Sequence, residues 1–78
     1  MHYVYILLLS NGHYYVGSTS DLRRRLQEHE GGKSPTTKRF LPLKLITYLA
    51  FSTKEKAEKF ETYLKTGSGI SFRKKHLV

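Results

Sequence analysis

The chain has 78 residues, a length from which we expect one small domain spanning residues 1–78. It contains no cysteine, which excludes disulfides and thiolate metal sites as sources of stability. Its four histidines show no zinc-binding spacing. A net charge of +8 and a pI near 9.9 favour a polyanionic partner such as nucleic acid. A membrane surface fits less well, because no helix is expected to combine a basic face with a wide apolar one.

The first nine residues are apolar or aromatic apart from His2. They fall far short of the ~20 residues that a membrane-spanning helix needs, and no small-residue cleavage site follows them. We therefore expect a cytoplasmic protein.

A β-hairpin is predicted at the N-terminus, because two runs of β-branched, aromatic and leucine residues at 3–9 and 14–16 are separated by Ser-Asn-Gly. Two loops are open. A two-residue Asn-Gly turn puts Tyr5 and Tyr15 on opposite faces of the sheet, whereas a three-residue loop with Gly12 in the left-handed region puts them on the same face. We favour the three-residue loop, because the other face is then aliphatic except for one tyrosine, as a core face should be.

The remaining elements follow from capping residues, apolar periodicity and glycines. They are a helix at about 20–30, a basic, mobile loop at 31–42, a strand at 43–51, a helix at about 53–66 that Gly67-Ser68-Gly69 ends, and a short basic segment from Phe72 to His76. The order ββαβα plus a short C-terminal helix predicts an α/β protein of the α+β type. Its small, three-stranded, mainly antiparallel sheet is expected to be flanked by helices.

The first helix carries two polar residues on its apolar side. In helical projection, Arg25 and His29 turn toward the side of Leu22 and Leu26, whereas Arg23 and Arg24 turn away. A guanidinium on that side suits a phosphate, and the alternative is an arginine whose head extends into water. For His29 the alternatives are a catalytic role and a hydrogen-bonded core histidine.

A carboxylate breaks the apolar side of the second long helix. Glu61 projects with Ala57, Phe60 and Leu64, and a carboxylate in such a place needs a cation. Lys65, one turn later, is one candidate for that cation. Magnesium is the other, since it binds through one or two carboxylates and keeps several waters.

These residue types together suit phosphodiester hydrolysis. That reaction needs a metal, a group that takes a proton from water, and cations for the charge on the phosphate oxygens. Glu61, a hairpin tyrosine and Arg25 would supply them. Tyrosine has an ordinary pKa of about 10, so a catalytic tyrosine needs a metal or Arg25 to lower its pKa. The alternative is that Tyr5 and Tyr15 are ordinary strand aromatics.

The chain resembles the GIY-YIG nucleases at this point. The residues that carry the resemblance are Tyr3-Val4-Tyr5, Tyr15-Val16-Gly17 ten residues on, the following Ser-Thr-Ser-Asp-Leu-Arg-Arg-Arg-Leu-Gln-Glu-His, and the helix from Ala57 to Glu61 with Lys65-Thr66-Gly67-Ser68-Gly69 after it. The second half is similar to small stand-alone bacterial members, which implies a fold like the N-terminal domain of the excinuclease C subunit. The resemblance covers nearly the whole chain.

The resemblance implies roles for five residues. Tyr5 corresponds to the general base, Tyr15 to a positioning group, Arg25 to the phosphate clamp, His29 to a histidine of many members, and Glu61 to the sole protein ligand of Mg²⁺ or Mn²⁺. Larger members also use an asparagine after the glutamate helix. This chain has no asparagine beyond Asn11, and Lys65 is the candidate for part of that role.

The implied function is a divalent-metal-dependent endonuclease, a hydrolase acting on DNA more than on RNA, with DNA repair as its setting and no organic cofactor. Substrate binding is expected to rest on basic residues and to have weak sequence specificity. These residues are Lys33, Lys38, Arg39, Lys65, Arg73, Lys74 and Lys75. Two alternatives are a non-catalytic nucleic-acid-binding module with the same fold and an adaptor for a partner protein.

Overall fold

The computed structural model describes all 78 residues and contains one three-stranded sheet. Its strands are β1 (His2–Leu8), β2 (Tyr14–Thr19) and β3 (Lys44–Phe51). Their order is β2-β1-β3, and both neighbouring pairs are antiparallel. The predicted sheet is confirmed, and β1 is its central strand while β2 has a free outer edge.

The hairpin between β1 and β2 has the three-residue loop. The Leu9 amide donates a 2.8 Å hydrogen bond to the His13 carbonyl, and Gly12 has a φ of 84°, which only glycine adopts readily. Tyr5 is therefore paired with Gly17, and Leu7 with Tyr15. This register places both tyrosines on one face of the sheet, as the favoured loop predicts.

Three helices flank the sheet, and each begins at a side-chain cap. Asp21 caps α1 (Leu22–Glu30), Thr53 caps α2 (Lys54–Leu64) and Thr66 caps α3 (Gly67–His76). In each case the cap oxygen accepts from a backbone amide three residues later, which satisfies a donor that the first turn leaves free. None of these helices has the length and apolar character needed to cross a membrane.

The prediction for the C-terminal region was wrong in one respect. Gly67-Ser68-Gly69 forms the first turn of α3, so this helix of 10 residues is no shorter than α1. A Cβ on Gly69 would lie 1.7 Å from the Tyr63 carbonyl oxygen. Gly69 therefore allows α3 to start against the end of α2, a close approach that looked like a helix-ending signal in the sequence.

Both faces of the sheet are core faces, although the sequence pattern marked only one of them as an aliphatic core face. On one face, α2 and α3 cover a cluster that includes Val4, Ile6 and Val16. On the other face, a cluster of Tyr5, Leu7 and Leu9 lies under α1 and the segment before β3. The central strand is therefore buried on both sides, and we call these the helix-pair face and the tyrosine face.

The segment 31–42 was predicted to be a mobile loop, and this was wrong for its centre. It contains a turn and a short 3-10 helix at Lys38–Phe40, and the side chains of Ser34 and Thr37 are buried. A buried hydroxyl needs a hydrogen-bond partner, and Thr37 finds one on α1. The segment thus packs against the tyrosine face while its basic side chains stay exposed.

Candidate active site

Three buried side chains on the tyrosine face form one hydrogen-bonded chain. The Tyr5 Oη lies 2.9 Å from Nε2 of His29, and Nδ1 of His29 lies 2.7 Å from Oγ1 of Thr37. All three side chains are at most 1% exposed. The histidine faces the sheet because it shares the side of α1 that carries the apolar residues, as its position in the helix predicts.

The protonation states decide which group donates in each of these two hydrogen bonds. Burial, reinforced by the positive charge of Arg25, lowers the pKa of His29 below its usual value, so the ring is neutral at pH 7. The guanidinium of Arg25 also lies close enough to the Tyr5 hydroxyl to affect its pKa. The tyrosine hydroxyl can therefore donate to Nε2, while Nδ1–H donates to the oxygen of Thr37.

The pKa of Tyr5 moves opposite to the sequence expectation. Burial raises it from 10.0 to about 12, and the nearby charges of Tyr15 and Glu61 add to the rise. The nearby guanidinium of Arg25 lowers this pKa but does not outweigh burial. Arg25 alone therefore leaves the phenol protonated at pH 7.

Arg25 is partly buried and held by its own helix. Its Nη1 donates to Oε1 of Glu28 at 3.1 Å, and its side chain is 33% exposed. Burial lowers the pKa of Arg25, but the contacts with Glu28 and Tyr5 outweigh this and raise it. The sequence did not identify Glu28 as a partner, although three-residue spacing on a helix is one that oppositely charged pairs use.

Tyr15 and Gly17 shape the space around the phenol. The Tyr15 ring lies 6.3 Å from the Tyr5 ring and 5.3 Å from the His29 ring, measured between centroids. A Cβ on Gly17 would lie 2.5 Å from the Tyr5 hydroxyl oxygen. Glycine is required there because the hydroxyl occupies the place of a side chain, which explains the glycine of the second triplet.

Glu61 uses both of its carboxylate oxygens. Oε1 accepts a 2.6 Å hydrogen bond from Ser18 Oγ, and Oε2 accepts a 2.9 Å bond from Lys65 Nζ. Burial raises the pKa of Glu61, but these two hydrogen bonds and the charges of Lys65 and His2 lower it overall. The predicted pairing with Lys65 is therefore present, and Ser18 is a second partner.

The carboxylate approaches from the other side of the sheet. The predicted arrangement had Tyr5, Arg25 and Glu61 around one hollow, whereas α2 packs on the helix-pair face and the other two lie on the tyrosine face. They meet at β2: the Tyr5 hydroxyl lies over Gly17, and Glu61 binds the next residue, Ser18. The site therefore straddles the free outer strand, and the electrostatic effect of Glu61 on Tyr5 reaches across it.

The donors present suit a hydrated magnesium or manganese ion. No three His, Asp or Glu side chains are grouped closely enough to hold a metal ion, so a zinc cage does not fit. A partly buried carboxylate that is 21% exposed fits an ion that keeps most of its waters. Glu61 is the residue that would hold such an ion.

The predicted basic residues divide into three groups. Lys65 and Arg73 line a shallow groove along β2 together with Tyr15. A second group lies in the 31–42 segment and a third on α3, and neither of these two groups lines a groove. The exposed ones are Lys33, Lys38 and Arg39 in the segment and Lys74 and Lys75 on α3.

Ser18 and Thr37 are the site residues that the sequence did not identify. In the sequence, Ser18 stands only among the polar residues before the first helix, and Thr37 lies within the supposed mobile loop. Their partners are 43 and 8 residues away. The available signal was that each partner, a carboxylate or a histidine on an apolar side, needed a neutralising or hydrogen-bonding group.

Comparison with known proteins identifies the family. The sequence model described as "GIY-YIG catalytic domain" matches residues 1–74. The chain therefore belongs to the GIY-YIG family of nucleases.

Its relatives carry the name UPF0213. The UPF0213 protein BH0048 of Halalkalibacterium halodurans is 40% identical over 75 residues, 95% of this chain and 77% of that protein. A UPF0213 protein of Streptococcus pneumoniae serotype 4 is 45% identical over 64 residues, 81% of this chain but only 65% of the relative. The solution NMR structure of BH0048 matches with a TM-score of 0.60 and 36% identity, covering 94% of this chain and 79% of that one. The three-stranded fold with its flanking helices is thus shared.

Proposed function

We propose that the chain is one catalytic domain, a divalent-metal-dependent endonuclease that hydrolyses phosphodiester bonds in DNA. The observation that carries the proposal is the meeting at β2 of two arrangements. One is the buried chain of Tyr5, His29 and Thr37, and the other is the carboxylate of Glu61 fixed by Ser18. Burying a series of hydrogen-bonded polar side chains, or half-burying a carboxylate, costs stability. A reaction that uses both arrangements explains why they lie at the same strand.

Tyr5 acts as the proton acceptor with His29 behind it. An attacking water gives its proton to Tyr5 Oη as the phenol's own proton moves along the existing hydrogen bond to His29 Nε2. The water oxygen bonds to phosphorus, the bond from phosphorus to the leaving oxygen breaks, and that oxygen takes a proton from solvent. After the product leaves, His29 returns its extra proton to solvent through the Tyr5 hydroxyl. Because the phenol gains and loses a proton in one step, the buried phenolate that the pKa of about 12 disfavours does not form.

Arg25 and Glu61 act on the phosphate side. The guanidinium, fixed by Glu28, donates to the phosphate oxygens, on which charge increases during the reaction. Glu61 would hold Mg²⁺ or Mn²⁺, which supplies polarisation of the phosphate and a site for water. Tyr15 positions the Tyr5 phenol through its ring contact.

The substrate is proposed to be DNA, bound through its backbone with weak sequence preference. Lys65 and Arg73 line the groove along β2, and further exposed cations lie in the 31–42 segment. Backbone phosphates suit both groups of cations and carry no sequence information. A role in DNA repair and a cytoplasmic location are part of the same proposal, and they rest on the resemblance to the excinuclease domain.

The test is cleavage of plasmid DNA, single-stranded DNA and RNA by the purified protein with Mg²⁺, Mn²⁺ or a chelator. The Glu61→Gln variant is expected to lose cleavage by roughly 10²-fold or more, as loss of a metal ligand or catalytic group does. Glu58→Gln is the matched control, because Glu58 is an exposed carboxylate of the same helix. Equal cleavage by both variants would refute the proposal. Salt-dependent binding without cleavage would favour the non-catalytic module instead.

A further inference from the structure

Lys65 differs from the other basic residues because it both binds Glu61 and lines the groove along β2. Its ammonium binds Glu61 Oε2 at 2.9 Å, and its side chain also lines the groove along β2 beside Tyr15 and Arg73. The side chain is 54% exposed, so its head can move without unpacking the core. One cation is thus within reach of the proposed metal ligand and of the proposed path of the phosphates.

We propose that Lys65 is an internal counter-ion that occupies Glu61 until nucleic acid binds, and that it couples metal binding to nucleic-acid binding. The inference rests on the proposed function. When a phosphate enters the groove, the ammonium moves from the carboxylate to the phosphate and leaves Oε2 free. Ser18 stays on Oε1 and keeps the carboxylate in place.

The charges around Glu61 give the coupling its sign. While Lys65 is in contact with Glu61, the ammonium neutralises the carboxylate. A divalent cation that binds Glu61 must then approach this positive charge and displace it. Once a phosphate holds the ammonium, that repulsion decreases and the carboxylate regains its charge. By linkage, nucleic acid then raises the affinity for metal by the same factor as metal raises the affinity for nucleic acid.

A flexible lysine suits this exchange better than an arginine would. Its ammonium is a compact point charge on a mobile stem and needs no planar, two-pronged partner. The contact with Glu61 is one bond on a half-exposed head, so breaking it costs little. Arg25, by contrast, is only 33% exposed and is bound to Glu28, which fits a fixed clamp.

The helix α2 offers a matched control for this contact. Glu55 and Lys59 form an ion pair with the same four-residue spacing at 3.2 Å, with both side chains more than three quarters exposed. Lys59→Met removes the same charge from the same helix as Lys65→Met. Only the second variant uncovers Glu61.

The experiment measures Mn²⁺ affinity by calorimetry for the wild type, Lys65→Met and Lys59→Met, without nucleic acid. Lys65→Met is expected to bind Mn²⁺ roughly 1.5-fold to fivefold more tightly than the wild type, the range that one ion pair of this kind represents. Lys59→Met should match the wild type. A short DNA with cleavage-resistant phosphorothioate links should raise the wild-type affinity, and should raise that of Lys65→Met by a smaller factor.

The failures of this inference and of the proposed function are distinguishable. If Lys65→Met binds Mn²⁺ no more tightly than the wild type while Glu61→Gln loses binding, the counter-ion role is wrong and the nuclease proposal stands. If Glu61→Gln binds Mn²⁺ as the wild type does, Glu61 is not the ligand and both proposals fail. Circular dichroism of each variant checks that α2 is intact.

Discussion

The two faces of the sheet are both buried, but by different chemistry. The helix-pair face is filled by aliphatic and phenylalanine side chains, with Val4, Ile6 and Leu64 fully buried. The tyrosine face buries polar groups as completely, with His29 and Thr37 at 0% exposure. Aliphatic burial stabilises the fold at roughly 25 cal/mol per Å², whereas a buried polar group gains little even when its hydrogen bonds are made.

This difference separates stability from the proposed chemistry. Residues of the helix-pair face are expected to affect the free energy of unfolding and to have little effect on cleavage by the folded protein. The polar residues of the tyrosine face are expected to affect cleavage more than stability. The exception is Ser18 with Glu61, where the helix-pair face reaches the site at the edge of β2.

The largest expected effect is a loss of stability when a buried residue of the helix-pair face is truncated. Leu64→Ala removes a fully buried side chain between α2 and the sheet, and it should lower the free energy of unfolding by about 2–5 kcal/mol. Urea denaturation followed by circular dichroism measures this. Leu41→Ala, at a position that is 37% exposed, is the control and should cost much less. Equal losses would contradict the division between the faces.

The next largest expected effect is a loss of DNA cleavage when a polar residue of the tyrosine face is changed. Tyr5→Phe removes the hydroxyl that binds His29, and DNA cleavage should fall by roughly 10²-fold or more, with a loss of stability of about 1–3 kcal/mol from the unpaired ring nitrogen. Tyr48→Phe is the matched control, because Tyr48 pairs with Tyr5 on β3 and is 53% exposed. Cleavage rates at a fixed Mg²⁺ concentration compare the two. Unchanged cleavage in Tyr5→Phe would remove this residue from the mechanism.

Gly17→Ala should disturb the same phenol from the neighbouring strand. The added Cβ would lie 2.5 Å from the Tyr5 hydroxyl oxygen, so the ring must shift away from its hydrogen bond, at a cost of about 1–3 kcal/mol. Gly67→Ala is the control, since a Cβ there meets nothing within 4 Å. NMR shifts of the His29 ring nitrogens report the hydrogen bond directly. An unchanged His29 signal in Gly17→Ala would show that the contact is not tight.

The smallest expected effect is the pH dependence that His29 gives to stability. Burial lowers its pKa in the folded chain, so below its usual value of 6.5 the unfolded chain binds a proton that the folded chain does not. Stability should therefore be constant above pH 6.5 and decline as the pH falls toward the folded pKa. Urea unfolding between pH 7.5 and 5.0 measures the slope. His29→Gln should lose it, and a slope that persists in this variant would have another origin.

The sequence by itself determined the elements and the residue types of the site. The strand pattern, the Asn-Gly loop, the caps and the helix periodicity predicted β1, β2, β3, α1 and α2 to within a few residues, because these signals act between near neighbours in the chain. The same periodicity predicted that His29 and Glu61 turn inward. The choice of the three-residue hairpin loop, and with it the common face of Tyr5 and Tyr15, also came from the pattern.

Only the tertiary structure decided how the two halves of the site meet. The side of the sheet on which α2 packs depends on contacts between distant residues, and it placed Glu61 across β2 from the phenols instead of beside them. The bonds of Ser18 to Glu61 and of Thr37 to His29 arose in the same way. The local sequence pattern predicts which side chains are buried. The hydrogen-bond partner of a buried polar group depends on packing between distant residues, and periodicity does not predict that packing.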